Sequence, residues 1–209
     1  MSRPNVFVLG DSISLQFGPY LQELLAGRYG YARRTGEEEA LGDLDHPAGA
    51  NGGDSPRVLA YLQALKAEGT WRPDLLLLNC GLHDLKVLTD SGEKQVPPEL
   101  YRRNLEQIAA LLREADVPTV WLRTTPVCDE IHNRGERSFY RYASDVAEYN
   151  AIADAVMKAA GNPIVDLHGF TESLGEPEEV FCDHVHFVDD VRRMQAAYLA
   201  GVIDLHFGM

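Results

Sequence analysis

Four consecutive leucines, Leu75–Leu78, constrain this chain more than any other stretch. Pro73-Asp74 precedes them, and Asn79-Cys80-Gly81 ends the run. A run so short and so uniformly apolar offers no polar face to solvent, so it predicts a strand buried on both sides. Such strands occur in parallel sheets that helices cover on both faces. Residues 6–9, Val-Phe-Val-Leu, repeat the signature. They also stop at a glycine, Gly10, with Asp11 and Ser12 directly behind it.

Helical spacing follows each run. Phe17, Tyr20, Leu21, Leu24 and Leu25 share one face of a helix that begins near Gln16, and Gly27 suits its end. Ser55-Pro56 reads as an N-cap with proline at the first helical position, ahead of Val58, Leu59, Leu62 and Leu65. Leu105, Ile108, Leu111 and Leu112 define a helix over 99–115, and further helices are predicted over 140–160 and 189–205. Further strands are predicted over 118–124 and, as a short one, 164–166, with a weaker one over 29–33. Residues 36–55 carry Glu37-Glu38-Glu39 and five glycines but little core pattern, which predicts a long functional loop. Residues 125–138 read as irregular. Strand and helix alternate about five times without repeat or linker, and 209 residues suit one core. One α/β domain over 1–209 is expected. Its chemistry should sit where strand ends meet helix starts.

Composition narrows the partners. The chain has 32 acids against 19 bases, a net charge of -13, and no basic cluster beyond short pairs such as Arg33-Arg34. Nucleic acid and anionic membranes need cationic surface, so neither is an expected partner. No apolar stretch near the start has the form of a leader, and Cys80, Cys128 and Cys182 are odd in number and widely spaced. Reduced thiols and a cytoplasmic location are the expectation.

Ser12 is the candidate nucleophile. A serine hydroxyl needs a base to take its proton and a third group to orient that base. The nucleophile elbow Gly-x-Ser-x-Gly is absent, as are a dinucleotide fingerprint and a Walker lysine motif. What is present is an ordered series: Gly10-Asp11-Ser12, Asn51-Gly52-Gly53-Asp54-Ser55, Gly81-Leu82-His83-Asp84 and Asp183-His184-Val185-His186. In this order the motifs resemble the SGNH (GDSL-type) hydrolases across essentially the whole chain. The resemblance implies a three-layer α/β/α sandwich, flavodoxin-like, around a five-stranded parallel sheet. It also implies a Ser12–His186–Asp183 triad without cofactor or metal. The oxyanion donors it implies are the backbone N–H groups of Ser12 and Gly53, with Gly52 the alternative register. The family's third donor is an asparagine amide, where this chain has His83. A neutral imidazole carries one N–H and can donate as an amide does, provided Asp84 or a backbone carbonyl fixes its tautomer. Asn51 and Asn79 are the substitutes for that role, and Asp11 is expected to cap or brace its turn.

Neither short motif is unique. Gly-Asp-Ser recurs at Ser55, where a capping role is expected. Asp-x-x-His also ends at His46 and at His132, and both are read as solvated loop residues. Position selects Asp183 and His186, which follow the last predicted strand and precede the last helix. A metal site on His184 and His186, joined by Asp183, His168 or His83, is the rival chemistry. A non-catalytic binding module is the other. Loops 36–53 and 171–182 are strongly acidic. If they rim the site they repel anions, which favours neutral short-acyl or acetyl esters, including those of carbohydrates, over acyl-thioesters or lysophospholipids.

Overall fold

A computed structural model describes residues 3–135 and 138–208. Five parallel strands form the central sheet: β1 (Asn5–Leu9), β2 (Gly30–Arg33), β3 (Leu75–Leu78), β5 (Thr119–Leu122) and β7 (Ile164–Val165). Their spatial order is β2-β1-β3-β5-β7. Two further strands, β4 (Val87–Leu88) and β6 (Phe139–Tyr140), make an antiparallel ribbon outside that sheet. All four leucines of β3 are fully buried, as their lack of a polar face requires. β1 and β3 are direct neighbours, with Val8 opposite Leu77 and Leu9 opposite Leu78.

Helix α1 (Ser12–Leu25) leads from β1 to β2 on one side, and α3 (Ser55–Glu68) leads back to β3 on the other. The strand order therefore reverses at β1, and a crevice forms at the carboxyl ends of β1 and β3. Helix α1 packs on α9 (Asp189–Phe207), while α4 (Pro98–Glu114) packs between α3 and α6 (Ala143–Ala159). The core is continuous through both layers, from Phe17, Leu21 and Leu199 to Leu62, Leu105 and Tyr149.

Several local expectations change. Residues 36–55 include a short helix, α2 (Glu37–Gly42). Its three glutamates sit in the first turn, where they favour the helix dipole, and only Ala40 is buried. A helix with one buried residue leaves no apolar period to read. Similar short turns appear as α5 (Asp129–His132), α7 (Leu167–Glu172) and α8 (Pro177–Val180). Part of the segment read as irregular, residues 136 and 137, lies outside the described residues. The N-cap of α3 is Asp54, whose side chain accepts from Arg57 N–H at 3.1 Å, and Ser55 is the first helical residue. The first helix starts earlier than its apolar period, at Ser12, because Asp11 caps it.

Leu77 lies on a central strand with no exposure. Leu77→Ala is expected to cost about 2–5 kcal/mol, read as a lower urea midpoint with an unchanged slope.

Candidate active site

The site begins with the turn between β1 and α1. Asp11 accepts the Ile13 N–H at 3.0 Å and so caps α1, as expected. Ser14 Oγ donates to the Asp11 carbonyl at 2.6 Å. Ser12 thus occupies the first position of a helix, where backbone N–H groups have no partner within the helix. Its hydroxyl is 2.9 Å from His186 Nε2. His186 Nδ1 is 2.8 Å from Asp183 Oδ2. The other Asp183 oxygen accepts the N–H groups of Val185 (2.8 Å) and His186 (2.7 Å). Burial works against the Asp183 charge, but the His186 ring and these two N–H groups outweigh it and hold the carboxyl well below its usual range. Asp11 is the reverse case. Burial pushes its carboxyl up, against the Ile13 N–H and the nearby Arg141 and His186.

The two glycines of the second motif have different commitments. Gly52 N–H donates to the Gly10 carbonyl at 2.9 Å and ties this loop to the nucleophile turn. Gly53 N–H donates to the Asn51 side chain at 3.0 Å. Gly53 has φ +69°, and a Cβ there would approach Pro47 Cβ to 2.7 Å, so only glycine fits. The two asparagines are occupied elsewhere. Asn79 Nδ2 donates to the Leu122 carbonyl at 2.8 Å, and Asn51 Nδ2 points to Leu44 O at 3.4 Å.

His83 is buried, and its Nδ1 has no hydrogen-bond partner. Burial, reinforced by the Lys86 and Arg141 charges, drives its pKa well below the usual histidine value, so the ring is neutral. Asp84 does not fix the His83 tautomer. Its carboxyl instead accepts the Ser55 N–H at 2.9 and 3.1 Å, at the start of α3. Burial pushes Asp84 up to about 8 against the pull of Ser55.

The repeated motifs separate by surroundings. Ser55 holds the same helical position as Ser12, but its hydroxyl is fully buried and accepts from Asn104 Nδ2 at 2.9 Å. Asp43 and His46 form the same local pair as Asp183 and His186, at 2.7 Å. The His46 side chain, however, is 79% exposed, against 2% for His186. His132 departs from the solvated reading: it is fully buried, because α5 turns it inward onto His184. The donors of the metal reading are dispersed. His184 contacts Asp45 and His132, His186 contacts Ser12, and His168 contacts the Thr124 carbonyl. Among the described residues no group of three or more His, Cys, Asp or Glu side chains is arranged to hold a metal ion.

Asp45, Lys86, Arg141 and His132 were not singled out as site residues by the sequence. Lys86 Nζ donates to the Asp45 carbonyl at 2.9 Å and lies 4.2 Å from the Phe139 ring centroid. Arg141 Nε donates to the Leu82 carbonyl at 2.7 Å. These contacts span 41 and 59 residues, so no local pattern announces them.

The fold and the ordered motifs define an architecture of the SGNH hydrolase class. The sequence matches the GDSL-like lipase/acylhydrolase family over residues 8–193, and the chain belongs to that family of ester hydrolases. Among curated protein sequences none matches it. Solved structures share the fold at low identity. An acetyl xylan esterase, AlAXEase, is 16% identical, covers 95% of this chain and 99% of its own, and has a TM-score of 0.69. A lipase/acylhydrolase from Enterococcus faecalis is 16% identical over 97% of this chain and 96% of its own, with a TM-score of 0.70. The psychrotrophic esterase EstA from Pseudoalteromonas sp. is 14% identical over 98% and 99%, with a TM-score of 0.65.

The Asp84 carboxyl predicts a pH effect on stability. Its folded pKa lies above the unfolded one, so the stability it contributes is full below about pH 4 and is lost as pH rises towards about 8. Asp84→Asn keeps an acceptor for Ser55 N–H and does not titrate. The unfolding free energy from urea titrations should fall between about pH 5 and about pH 8 in the wild type more than in Asp84→Asn, by an amount on the order of a few kcal/mol.

Proposed function

We propose that Ser12 attacks the carbonyl of a neutral carboxylic ester, with His186 as general base and Asp183 as its orienting group. The observation that carries this reading is the continuous chain from Ser12 Oγ to His186 Nε2 (2.9 Å) and from His186 Nδ1 to Asp183 Oδ2 (2.8 Å). His186 takes the Ser12 proton as the Oγ–carbon bond forms, and the ionised Asp183 stabilises the imidazolium that results. The tetrahedral intermediate collapses with transfer of that proton to the alcohol, leaving an acyl-Ser12. Water, deprotonated by the same histidine, then hydrolyses the acyl-enzyme.

The oxyanion needs fixed donors. Ser12 N–H lies at the start of α1, and the helix dipole adds to it. Gly53 is preferred to Gly52. The Gly52 N–H is spent on the Gly10 backbone, whereas Gly53 donates to a side chain, Asn51, which an oxyanion can displace. His83 is the third donor. Its neutral ring carries one N–H, and the two asparagines that could replace it are engaged elsewhere.

The substrate reading is a small neutral ester, with acetyl esters of carbohydrates included and with nucleic acid and membranes left out. The acids of loops 36–53 and 171–182 support it in part. Glu37, Glu38 and Glu39 are exposed on α2, whereas Asp45 is paired with His184, and Glu176 and Glu179 cap α8. A groove of about 440 Å³, floored by Val127, Val180 and Phe181 and edged by Glu172 and Glu176, opens next to the segment that carries Asp183. An apolar floor with a carboxylate edge suits an uncharged, hydroxyl-bearing group. Among the described residues no helix is long and apolar enough to cross a membrane.

A panel of short nitrophenyl and sugar acetate esters tests the reading. Ser12→Ala should lower kcat/KM by at least about 1000-fold, and hydrolysis equal to wild type would remove Ser12 as nucleophile. His83→Ala should lose about 100- to 1000-fold in kcat, and His83→Asn should regain most of it. An acetyl ester should be preferred to its acyl-CoA counterpart, with the gap narrowing as salt is raised. A preference that salt does not change would reject the role of the acidic loops.

A further inference from the structure

Beside the Ser12–His186–Asp183 chain runs a second line of polar contacts that no step above uses. His184 Nε2 lies 3.0 Å from Asp45 Oδ2, and His184 Nδ1 lies 3.0 Å from His132 Nδ1. His132 Nδ1 is also 3.0 Å from the His184 carbonyl oxygen. A carbonyl oxygen only accepts, so His132 Nδ1 carries a proton. His184 Nδ1 is then the acceptor facing that N–H, and the His184 proton sits on Nε2, where Asp45 receives it. All three contacts are satisfied together only with His184 neutral and protonated at Nε2.

The line joins the segments that build the site. Asp45 lies between α2 and Gly53, and its carbonyl accepts from Lys86, three residues after His83. His184 lies between Asp183 and His186, and His132 ends α5. The loop of Gly53, the loop of His83, the segment after β5 and the loop of the catalytic histidine thus meet at two residues, Asp45 and His184.

We propose that Asp45 and His184 are positioning residues, which hold the loop bearing Asp183 and His186 against the loop bearing Gly53. The proposal rests on the Ser12–His186–Asp183 reading. Without the Asp45 carboxylate, the His184 ring is free to carry its proton on Nδ1. Two N–H groups would then face each other across 3.0 Å, and the His132 contact would open. A displacement of about 1 Å at a reacting group costs on the order of 100-fold in rate.

The test is steady-state kinetics on p-nitrophenyl acetate with four variants, together with ¹⁵N NMR of the histidine rings. His184→Ala and Asp45→Ala should lower kcat by about ten- to a hundredfold and change KM by less than about twofold. Asp45→Asn offers a carbonyl to Nε2–H, and His184→Gln offers an N–H to Asp45. Both should return kcat to within about threefold of wild type. In the wild type the His184 ring should show a protonated Nε2 and an unprotonated Nδ1. Alanine variants with undiminished kcat overturn the proposal, and so do Asn and Gln variants that fall as far as the alanine ones. Should the alanine variants fail to fold, the ring spectrum of the wild type decides, and a proton on His184 Nδ1 overturns it. Failure of the ester reading is distinguishable: wild type and Ser12→Ala would then be equally inactive, while the ring spectrum still reports on Asp45 and His184.

Discussion

The packing of α1 against α9 sets the geometry on which the site depends. Ser12 is the first residue of α1, and His186 stands three residues before α9. Their contact spans 174 residues, and no local structure could hold it. The buried face of α1, with Phe17, Leu21 and Leu25, meets that of α9, with Ala196, Leu199 and Ile203. Polar ties follow the same seam. Tyr20 bonds Asp189 near the top, and Tyr29 and Arg28 bond Asp204 further down. Exposed pairs of this kind add little energy. Their use is register: they fix how far α9 can slide along α1, and so where His186 meets Ser12.

The sheet contributes in a different way. β1 and β3 are buried on both faces, so their polar residues can only stand at the ends. Gly10 and Gly81 mark the points where the chain turns out of the sheet. At Gly81 a side chain would overlap Thr124, which follows β5, so the strand ends pack as closely as the strands. The Gly52–Gly10 backbone bond then brings the second glycine loop onto the first turn. Burial of the strands and closeness of their ends are one constraint, and it concentrates backbone donors at the site.

Two duplicated motifs show what a sequence can and cannot tell. Gly10-Asp11-Ser12 and Gly53-Asp54-Ser55 fold alike, with the aspartate as cap and the serine at the first helical position. Asp43–His46 and Asp183–His186 also fold alike, with carboxylate to Nδ1 distances of 2.7 and 2.8 Å. Each motif is thus a local device that works wherever its residue spacing recurs. The alternation of strands and helices, the helix faces and the positions of both motifs along the chain were legible because they follow from apolar period and from order along the chain. The pairing of Ser12 with His186 came from the resemblance and not from local pattern, and the partner of Ser55 was not legible at all, since it depends on which helix covers it: α4 through Asn104. The same reason hides Asp45. It looks like one more acid in an acidic loop, and only the return of the chain after β7 brings His184 to it.

His83 stands where the resemblance implies an asparagine, and its surroundings bear on its charge. In the proposed mechanism a protonated His83 would oppose formation of a positive charge on His186. Lys86 and Arg141, both buried, supply positive potential on the same side. Together with burial they disfavour a charge on His83. A neutral ring carries a single N–H, the state that the proposed donor role of His83 requires. Burying two cations has its own cost, and Asp45 offsets part of it. Burial penalises the Asp45 charge, but His184, Arg141 and Lys86 more than offset this and hold its carboxyl well below the usual range. His83, the cations and Asp45 therefore form one electrostatic unit. Removing Asp45 would leave two buried positive charges less balanced as well as release His184, so the acid that looks least remarkable in the sequence supports both sides of the site.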